Sequence, residues 1–405
     1  MKRVWTAACR HEPNEIDRHV GARVRSRRRA LTLSRQDLAR ASLVSLSRVV
    51  EFEAGVRRLR PAEFVAIAEA LDAPLLYFFD AFAANGSGID GSTPFDERVI
   101  NGERLPTDIA IASSNGFRDL PIMVMKDRRL VETQIAAAGL PDLKVLYDFL
   151  PCGALGAQKL RLGQVQFAAV GATAFLALWD RTRDTLRAKA LRAMGSAPFY
   201  LCSGNHRVQT IADFTAVDRI NVHRRRAMTL NAIALEMAAA ANFGAAQFNR
   251  LDRLMVGLPA PKGVDALISG GVTADFSSPP FSYQELGTPG VHLITTLDDV
   301  LGGPAANNIF ATSDAFADRF PAITAAVGRA FDQAIEAVQD DRRGAGEVHR
   351  RVADKRWAIH VDRMVEDSTI RFDRNPDGIL RYAEFMHRVG HIAQRPDRWE
   401  DLFRA

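Results

Sequence analysis

Cysteine is scarce: the 405 residues hold only Cys9, Cys152 and Cys202. The three are far apart and odd in number. That excludes a disulfide framework and a C-x-x-C metal pair, and it suits a reducing compartment. Long apolar runs are missing too, since no stretch approaches the roughly 20 residues that cross a bilayer. Met1-Lys2-Arg3 and Thr6-Ala7-Ala8-Cys9 have the look of the two ends of an export signal. Only Val4 and Trp5 lie between them, against about 7–15 apolar residues in a working signal. The chain is therefore expected in the cytoplasm, without membrane insertion. It has no internal repeat and no low-complexity tract. It also has no cysteine-rich metal run and no Ser/His/Asp arrangement that spacing can justify. Neither catalysis, nor a bound metal, nor another cofactor is expected.

What is present is a globular composition, 47% hydrophobic and 25% charged, long enough for two or three domains. The net charge of +5 is unevenly placed. Residues 1–82 hold 15 Lys+Arg against 10 Asp+Glu, while the rest of the chain holds 38 of each. All of the excess positive charge thus sits at the N-terminal end, as expected of a segment that meets a polyanion.

The chain reads as four stretches. Residues 1–16 are a polar leader. Residues 17–82 have the spacing of five short helices. Residues 83–106 contain Asn-Gly-Ser-Gly-Ile-Asp-Gly-Ser-Thr-Pro and read as a linker. From 107 to 405, short apolar runs (109–112, 145–147, 167–170, 220–222, 291–294) alternate with helical patterns. Such alternation predicts βαβ units in two lobes, the second at about 204–290, with an almost wholly helical end from Ala315.

Within the front domain Ser34 is placed to cap a second helix, with Leu38 and Ala39 facing inward. Ser42-Leu43-Val44 forms a turn that Val44 anchors. Ser45 starts a third helix with Val49 and Phe52 inside, and Gly55 closes it. Pro61 opens a fourth, whose inner face is expected to be Phe64, Val65, Ile67, Ala68 and Leu71. This pattern resembles the lambda-repressor-like, XRE-type helix-turn-helix family over roughly residues 17–80. The resemblance implies that the third helix enters the major groove of double-stranded DNA. It places Arg35, Gln36, Ser45, Ser47 and Arg48 near bases or neighbouring phosphates. Arg57, Arg58 and Arg60 would meet phosphates, as would Arg23, Arg25 and Arg27 to Arg29. The sequence departs from the family at Leu43, where Gly is usual, and at Glu51. Leu46 and Val50 make the recognition helix apolar and poor in donors. A protein-binding helical bundle with a solvated arginine face is the alternative.

The large domain carries a second resemblance. Leu120-Pro121-Ile122, Leu155 to Ala168, Ala266 to Ala274 and Asp377 to Ile392 with Trp399 to Phe403 resemble the substrate-binding proteins of nitrate-, sulfonate- and taurine-type ABC importers. It is also similar to the thiamine-pyrimidine synthases that share this fold. The resemblance implies a two-lobed α/β, periplasmic-binding-protein-like type II domain that closes on a small molecule. In such sheets ligands lie beyond the carboxyl ends of the strands. By that rule the candidates are Ser113, Ser114, Asn115, Gly116, Gly171, Ala172, Thr173, Ser203, His223, Arg224 and Ser278. If Arg224 points into the cleft the ligand is anionic; the run His223 to Arg226 also fits a solvated helix start. Tyr200 and Trp179 fit either a stacking role or the core. Asp373-Arg374-Asn375-Pro376-Asp377-Gly378 with Glu384 matches the calcium-loop pattern, but the C-terminal resemblance already accounts for these residues.

Together these readings describe a multidomain chain: an all-α DNA-binding domain joined to a two-lobed α/β sensor domain. The expected function is a one-component transcriptional regulator that senses a small organic ligand, anionic if Arg224 faces the cleft, and binds DNA as a homodimer, with a link to an ABC importer. The alternative is an importer's substrate-binding protein with an atypical N-terminal extension.

Overall fold

A computed structural model describes residues 15–30, 33–42, 44–56, 61–71, 78, 97–100, 103–150, 152–223 and 228–404. The chain divides into two compact units, Met1–Ser92 and Thr93–Ala405. Among the described residues no helix is long and apolar enough to cross a membrane.

In the first unit, α1 spans Glu15–Ala30, α2 Arg35–Ser42, α3 Leu46–Glu53 and α4 Pro61–Ala70. Ser34 and Asp37 cap α2 reciprocally: Asp37 N donates to Ser34 Oγ at 3.1 Å, and Ser34 N to Asp37 Oδ2 at 3.0 Å. Each bond satisfies a backbone donor that lacks a helical partner. Val24, Leu38, Val49, Phe52, Ile67, Leu71 and Phe78 form the core, with Val44 sealing the turn. Val65 is 40% exposed instead of buried; the inward stripe of α4 runs through 64, 67, 68 and 71, and Val65 lies beside it.

Two glycines let α1 and α3 meet backbone to backbone. A Cβ on Gly21 would sit 2.1 Å from Phe52 O, and one on Gly55, at φ +69°, 2.5 Å from Arg18 Cα. Beside that contact the wholly buried Glu53 takes a two-pronged ion pair from Arg28 at 2.5 and 3.0 Å, and Arg35 Nε at 2.8 Å. Burial alone would raise the Glu53 carboxyl, but the hydrogen bonds from Arg28 and Arg35 outweigh it and hold the group below its ordinary range.

The second unit begins with an antiparallel hairpin, β1 (Glu97–Ile100) with β2 (Glu103–Pro106). It occupies the end of the stretch expected as linker, most of which lies outside the described residues. Two five-stranded sheets follow. The first has the order β4-β3-β5-β12-β6, built from β3 (Asp108–Ser114), β4 (Lys144–Leu150), β5 (Phe167–Gly171), β6 (Ala188–Ala193) and β12 (Asn308–Ser313). The second has the order β11-β7-β10-β8-β9, from β7 (Tyr200–Ser203), β8 (Ile220–Asn221), β9 (Met255–Val256), β10 (Ala274–Ser277) and β11 (His292–Thr296). β3 pairs in parallel with β4 and β5, and β8 with β9 and β10. The exceptions are β12 in the first sheet and β7 in the second, each antiparallel to its neighbours. The chain enters β7 directly from the first lobe and returns to it as β12, so it crosses between lobes twice.

Asn307 ties the two crossings together. Its side chain donates to Ala197 O at 2.7 Å and accepts from Ala197 N at 3.2 Å, while its backbone N donates to Gly195 O at 3.1 Å. The C-terminal segment then straps both lobes. Ala190 exchanges backbone bonds with Leu402 and Arg404 in the first, and His391 Nε2 meets Glu236 Oε2 at 2.5 Å in the second.

Replacing Glu53 with Ala should lower the stability of the first unit by about 3–5 kcal/mol, because the Arg28 guanidinium stays buried without its counter-charge. The paired carboxylate is depressed, so its contribution is present above its ordinary pKa of 4.5 and lost as pH falls below it. Thermal unfolding from pH 7 to pH 3, followed on the full chain by helical circular dichroism, measures both effects.

Candidate functional site

On the recognition side of the first unit, Gln36, Ser45 and Ser47 are exposed, with Ser45 Oγ 3.3 Å from Ser47 Oγ. Ser45 stands at the start of α3 in extended conformation but makes no capping bond with its side chain. Two arginines expected at the duplex are engaged inside the unit instead. Arg35 holds Glu53, and Arg48 Nη2 donates to Glu63 Oε2 on α4 at 2.6 Å. Arg28 is likewise spent on Glu53, whereas Arg29 remains exposed at the end of α1. Arg57, Arg58 and Arg60 lie outside the described residues.

In the second unit the carboxyl ends of β3 and β5 face those of β8 and β10. Ser113 and Ser114 do lie at that edge, but their donors are consumed. Asp119, itself buried, accepts from Ser114 N at 2.8 Å, Ser114 Oγ at 2.5 Å and Ser113 Oγ at 3.3 Å; its other oxygen accepts from Asn308 Nδ2 at 2.6 Å. Asn115 O accepts from His349 Nε2 at 3.1 Å; burial lowers that ring's pKa, outweighing the hydrogen bond to Asn115, which raises it. Gly116 is half-buried, its N donating to Ser114 Oγ at 3.2 Å. Gly171 and Ala172 are buried where β5 meets the crossing, with Ala172 N donating to Asn307 O at 3.1 Å. Thr173 Oγ1 reaches across the seam and donates to Met228 O at 2.7 Å. Ser278 is half-buried at the same edge, before the cis Pro279–Pro280 bond.

Ser203 is misplaced by the sequence rule and is corrected here. It ends β7, which runs antiparallel to β10, and it pairs with Ala274 at the start of that strand. It therefore lies at the far edge of the sheet, where its hydroxyl donates to Thr273 O at 2.9 Å. Trp179 is buried in the core, and Tyr200, at the other end of β7, is half-buried. Arg224 falls outside the described residues. In the calcium-like pattern the polar side chains bond one another and their own backbone: Asp373 Oδ1 accepts from Asn375 N, and Asn375 Oδ1 from Asp377 N, both at 3.0 Å.

What remains at the seam is a set of polar atoms with no protein partner. Arg118 Nη1, His223 Nε2 and Tyr382 Oη are all buried and, among the described residues, unpaired. They come from three places: the loop after β3, the loop after β8, and the helix Ile379–Arg388. The Arg118 guanidinium lies 5.6 Å from the Phe199 ring centre at the first crossing, and its charge acts on both His223 and Tyr382. His223 is pushed down to about 4, by burial first and by Arg118 second. Its backbone sits at φ +59°, a left-handed conformation uncommon outside glycine. Burial raises the Tyr382 hydroxyl, so it stays protonated.

A helix-turn-helix family description matches residues 24–78. An uncharacterized transcriptional regulator from the ATPase CF(0) region of Rhodospirillum rubrum is 38% identical over 81 residues, 20% of this chain and 75% of its own. An uncharacterized helix-turn-helix-type regulator from Sinorhizobium medicae is 31% identical over 77 residues, 19% of this chain and 55% of its own. The chain belongs to the helix-turn-helix transcriptional regulators. That membership rests on the first unit, and the match spans only about half of the Sinorhizobium relative. For the second unit the likeness is one of fold. The alkanesulfonate-binding protein SsuA of Xanthomonas axonopodis pv. citri, solved bound to MOPS, superposes with a TM-score of 0.53 at 16% identity, covering 74% of this chain and 99% of that one. This regulator therefore joins a DNA-binding-type head to a periplasmic-binding-protein-like α/β domain.

Of the three unpaired groups at the seam, sequence reasoning named His223, but not Arg118 or Tyr382. Arg118 stands two positions beyond the Ser113–Gly116 stretch, and nothing in the sequence told which residue of that loop would turn inward. Tyr382 comes from a helix more than 260 residues downstream of β3, and no local pattern connects the two. Asp119 is the hinge of this outcome: a resident carboxylate takes the serine donors and leaves the arginine unpaired. Replacing Asp119 with Ala should strand those donors and destabilise the second unit by at least about 2 kcal/mol, with Asp119→Asn costing less. Urea unfolding monitored by tryptophan fluorescence gives the comparison.

Proposed function

We propose that this chain is a one-component transcriptional regulator whose α/β domain binds a small organic anion between its lobes. The observation that carries the reading is the convergence of Arg118, His223 and Tyr382. Burying one unpaired donor costs roughly 1–3 kcal/mol, and more for a charged group. Three such groups at one seam are best accounted for by a ligand that completes their hydrogen bonds. A cation, a protonated phenol and an imidazole able to gain a proton suit a sulfonate or carboxylate. The family relationship of the first unit and the fold of the second support the same division of labour. The reading is of a binding protein and not an enzyme, acting in the cytoplasm where a chromosome is accessible. A homodimer would engage two half-sites one helical turn apart.

Regulation follows if the anion favours one lobe arrangement and that arrangement favours one disposition of the DNA-binding heads. Ligand and operator must then change each other's affinity by the same factor. Operator affinity measured with and without an anion found by thermal-shift screening of sulfonates, nitrate and aromatic carboxylates tests the coupling; equal affinities refute it.

Two further outcomes are expected at the seam. Arg118→Ala should weaken the anion at least about tenfold, the loss of one charge-assisted bond, while Ser203→Ala leaves affinity unchanged. The anion should also bind more tightly as pH falls from about 7 toward 5, by at most tenfold per unit. The sign follows from the titration of His223: its pKa is low in the empty seam, a bound anion raises it, and binding therefore takes up a proton. Calorimetry in buffers of different ionisation enthalpy counts that proton, and His223→Asn should abolish the uptake.

A further inference from the structure

The recognition helix is apolar where it is most exposed. Leu46 is 41% and Val50 39% exposed, while Val49 and Phe52 on the opposite side fill the core. Arg48, the one cation in the helix, is turned back to Glu63. Spaced four residues apart, Leu46 and Val50 stand one above the other on a single outward face. Ser45 and Ser47, both exposed, flank them at the amino end. In the major groove only one base-edge group rewards an aliphatic side chain, and that is the C5 methyl of thymine.

Resting on the duplex-binding reading above, we propose that α3 reads its half-site through thymine methyl groups, with Leu46 and Val50 as the specificity-determining residues. The helix rises 1.5 Å per residue, so the two side chains are offset by about 6 Å along its axis. Base pairs rise 3.4 Å each, so the two methyls belong to base pairs about two steps apart. Ser47 supplies a short hydrogen bond beside them. The half-site is therefore rich in A·T pairs and lacks the bidentate guanine contacts that arginine-bearing recognition helices make.

The test starts from random duplexes captured by the full-length protein at low salt, sequenced after repeated rounds of selection. The best duplex is then rebuilt with deoxyuridine in place of each thymidine in turn, which removes one methyl and leaves pairing intact. The expected result is enrichment of thymine at two positions about two base pairs apart, with a loss of about fourfold for each methyl removed there. In Leu46→Ala and Val50→Ala proteins the difference between thymine and uracil should vanish at the corresponding position. Salt-dependent binding should remain in both, since the replaced side chains are outside the core. Tight binding that is indifferent to uracil, or selected sites without thymine at recurring positions, overturns the methyl readout while leaving duplex binding standing. Failure to capture any duplex overturns both readings.

Discussion

The α/β domain depends on one constraint: the sheet of the first lobe is completed by β12, which returns to it only after all five strands of the second sheet have been laid down. β7 leaves the first lobe and runs antiparallel inside the second; β12 leaves the second and runs antiparallel inside the first. The second sheet is built from consecutive strands, whereas the first is incomplete until the chain has crossed back. The crossings must also lie side by side, and Asn307 holds them there with three hydrogen bonds from one buried residue. Because that tie sits at the crossings, the closure implied by the proposed function would be a rotation about it, with the sheets themselves kept intact. The C-terminal strap adds a second restraint, since it is hydrogen-bonded to β6 in one lobe and to Glu236 in the other.

Given that frame, the seam sorts its polar groups into two kinds. Asp119, Ser113, Ser114, Thr173 and Asn307 are paired and fix the backbone. Arg118 Nη1, His223 Nε2 and Tyr382 Oη have no hydrogen-bond partner among the described residues. The sorting has a physical logic. A resident carboxylate at the head of the helix Leu120–Asp127 takes the donors that a small anion would otherwise compete for, and a fully paired network is rigid. Under the proposed function, binding energy is left to the three groups which that rigid network positions. A site of this sort loses little entropy on binding, because the donors are already held in place.

How much of this was legible in the sequence differs by level. The apolar runs at 109–112, 145–147, 167–170, 220–222 and 291–294 each fall on a strand; β5 is wholly buried, as continuous hydrophobe suggests, whereas β4 and β11 are half-exposed edge strands. The helix-turn-helix was equally legible, since Leu38, Val44, Val49 and Gly55 keep a spacing that only one packing satisfies. Strand direction was not legible. Ser203 was assigned to the cleft on the rule that ligands lie past carboxyl ends, and the rule holds only for strands parallel to their neighbours. Arg35 and Arg48 were assigned to DNA by position, yet each faces an acid that lies near only in space, 18 and 15 residues away. A local pattern reports which face of an element is buried; it does not report which charge on another element will claim an exposed arginine.

The same point governs how the head must bind. Arg28 and Arg35 pair with Glu53, and Arg48 with Glu63, so these three cations also maintain the unit's own fold. The rest of the chain is electrically balanced and adds no net attraction to phosphate. Non-specific affinity scales with the number of phosphates neutralised, so a cation committed to an internal carboxylate adds less to it. In the proposed homodimer two heads on one operator would gain affinity through the effective concentration that tethering gives them, and that gain disappears when the geometry forbids both from seating at once. A sensor domain that alters spacing by a few ångströms can then switch occupancy without touching any residue in the groove.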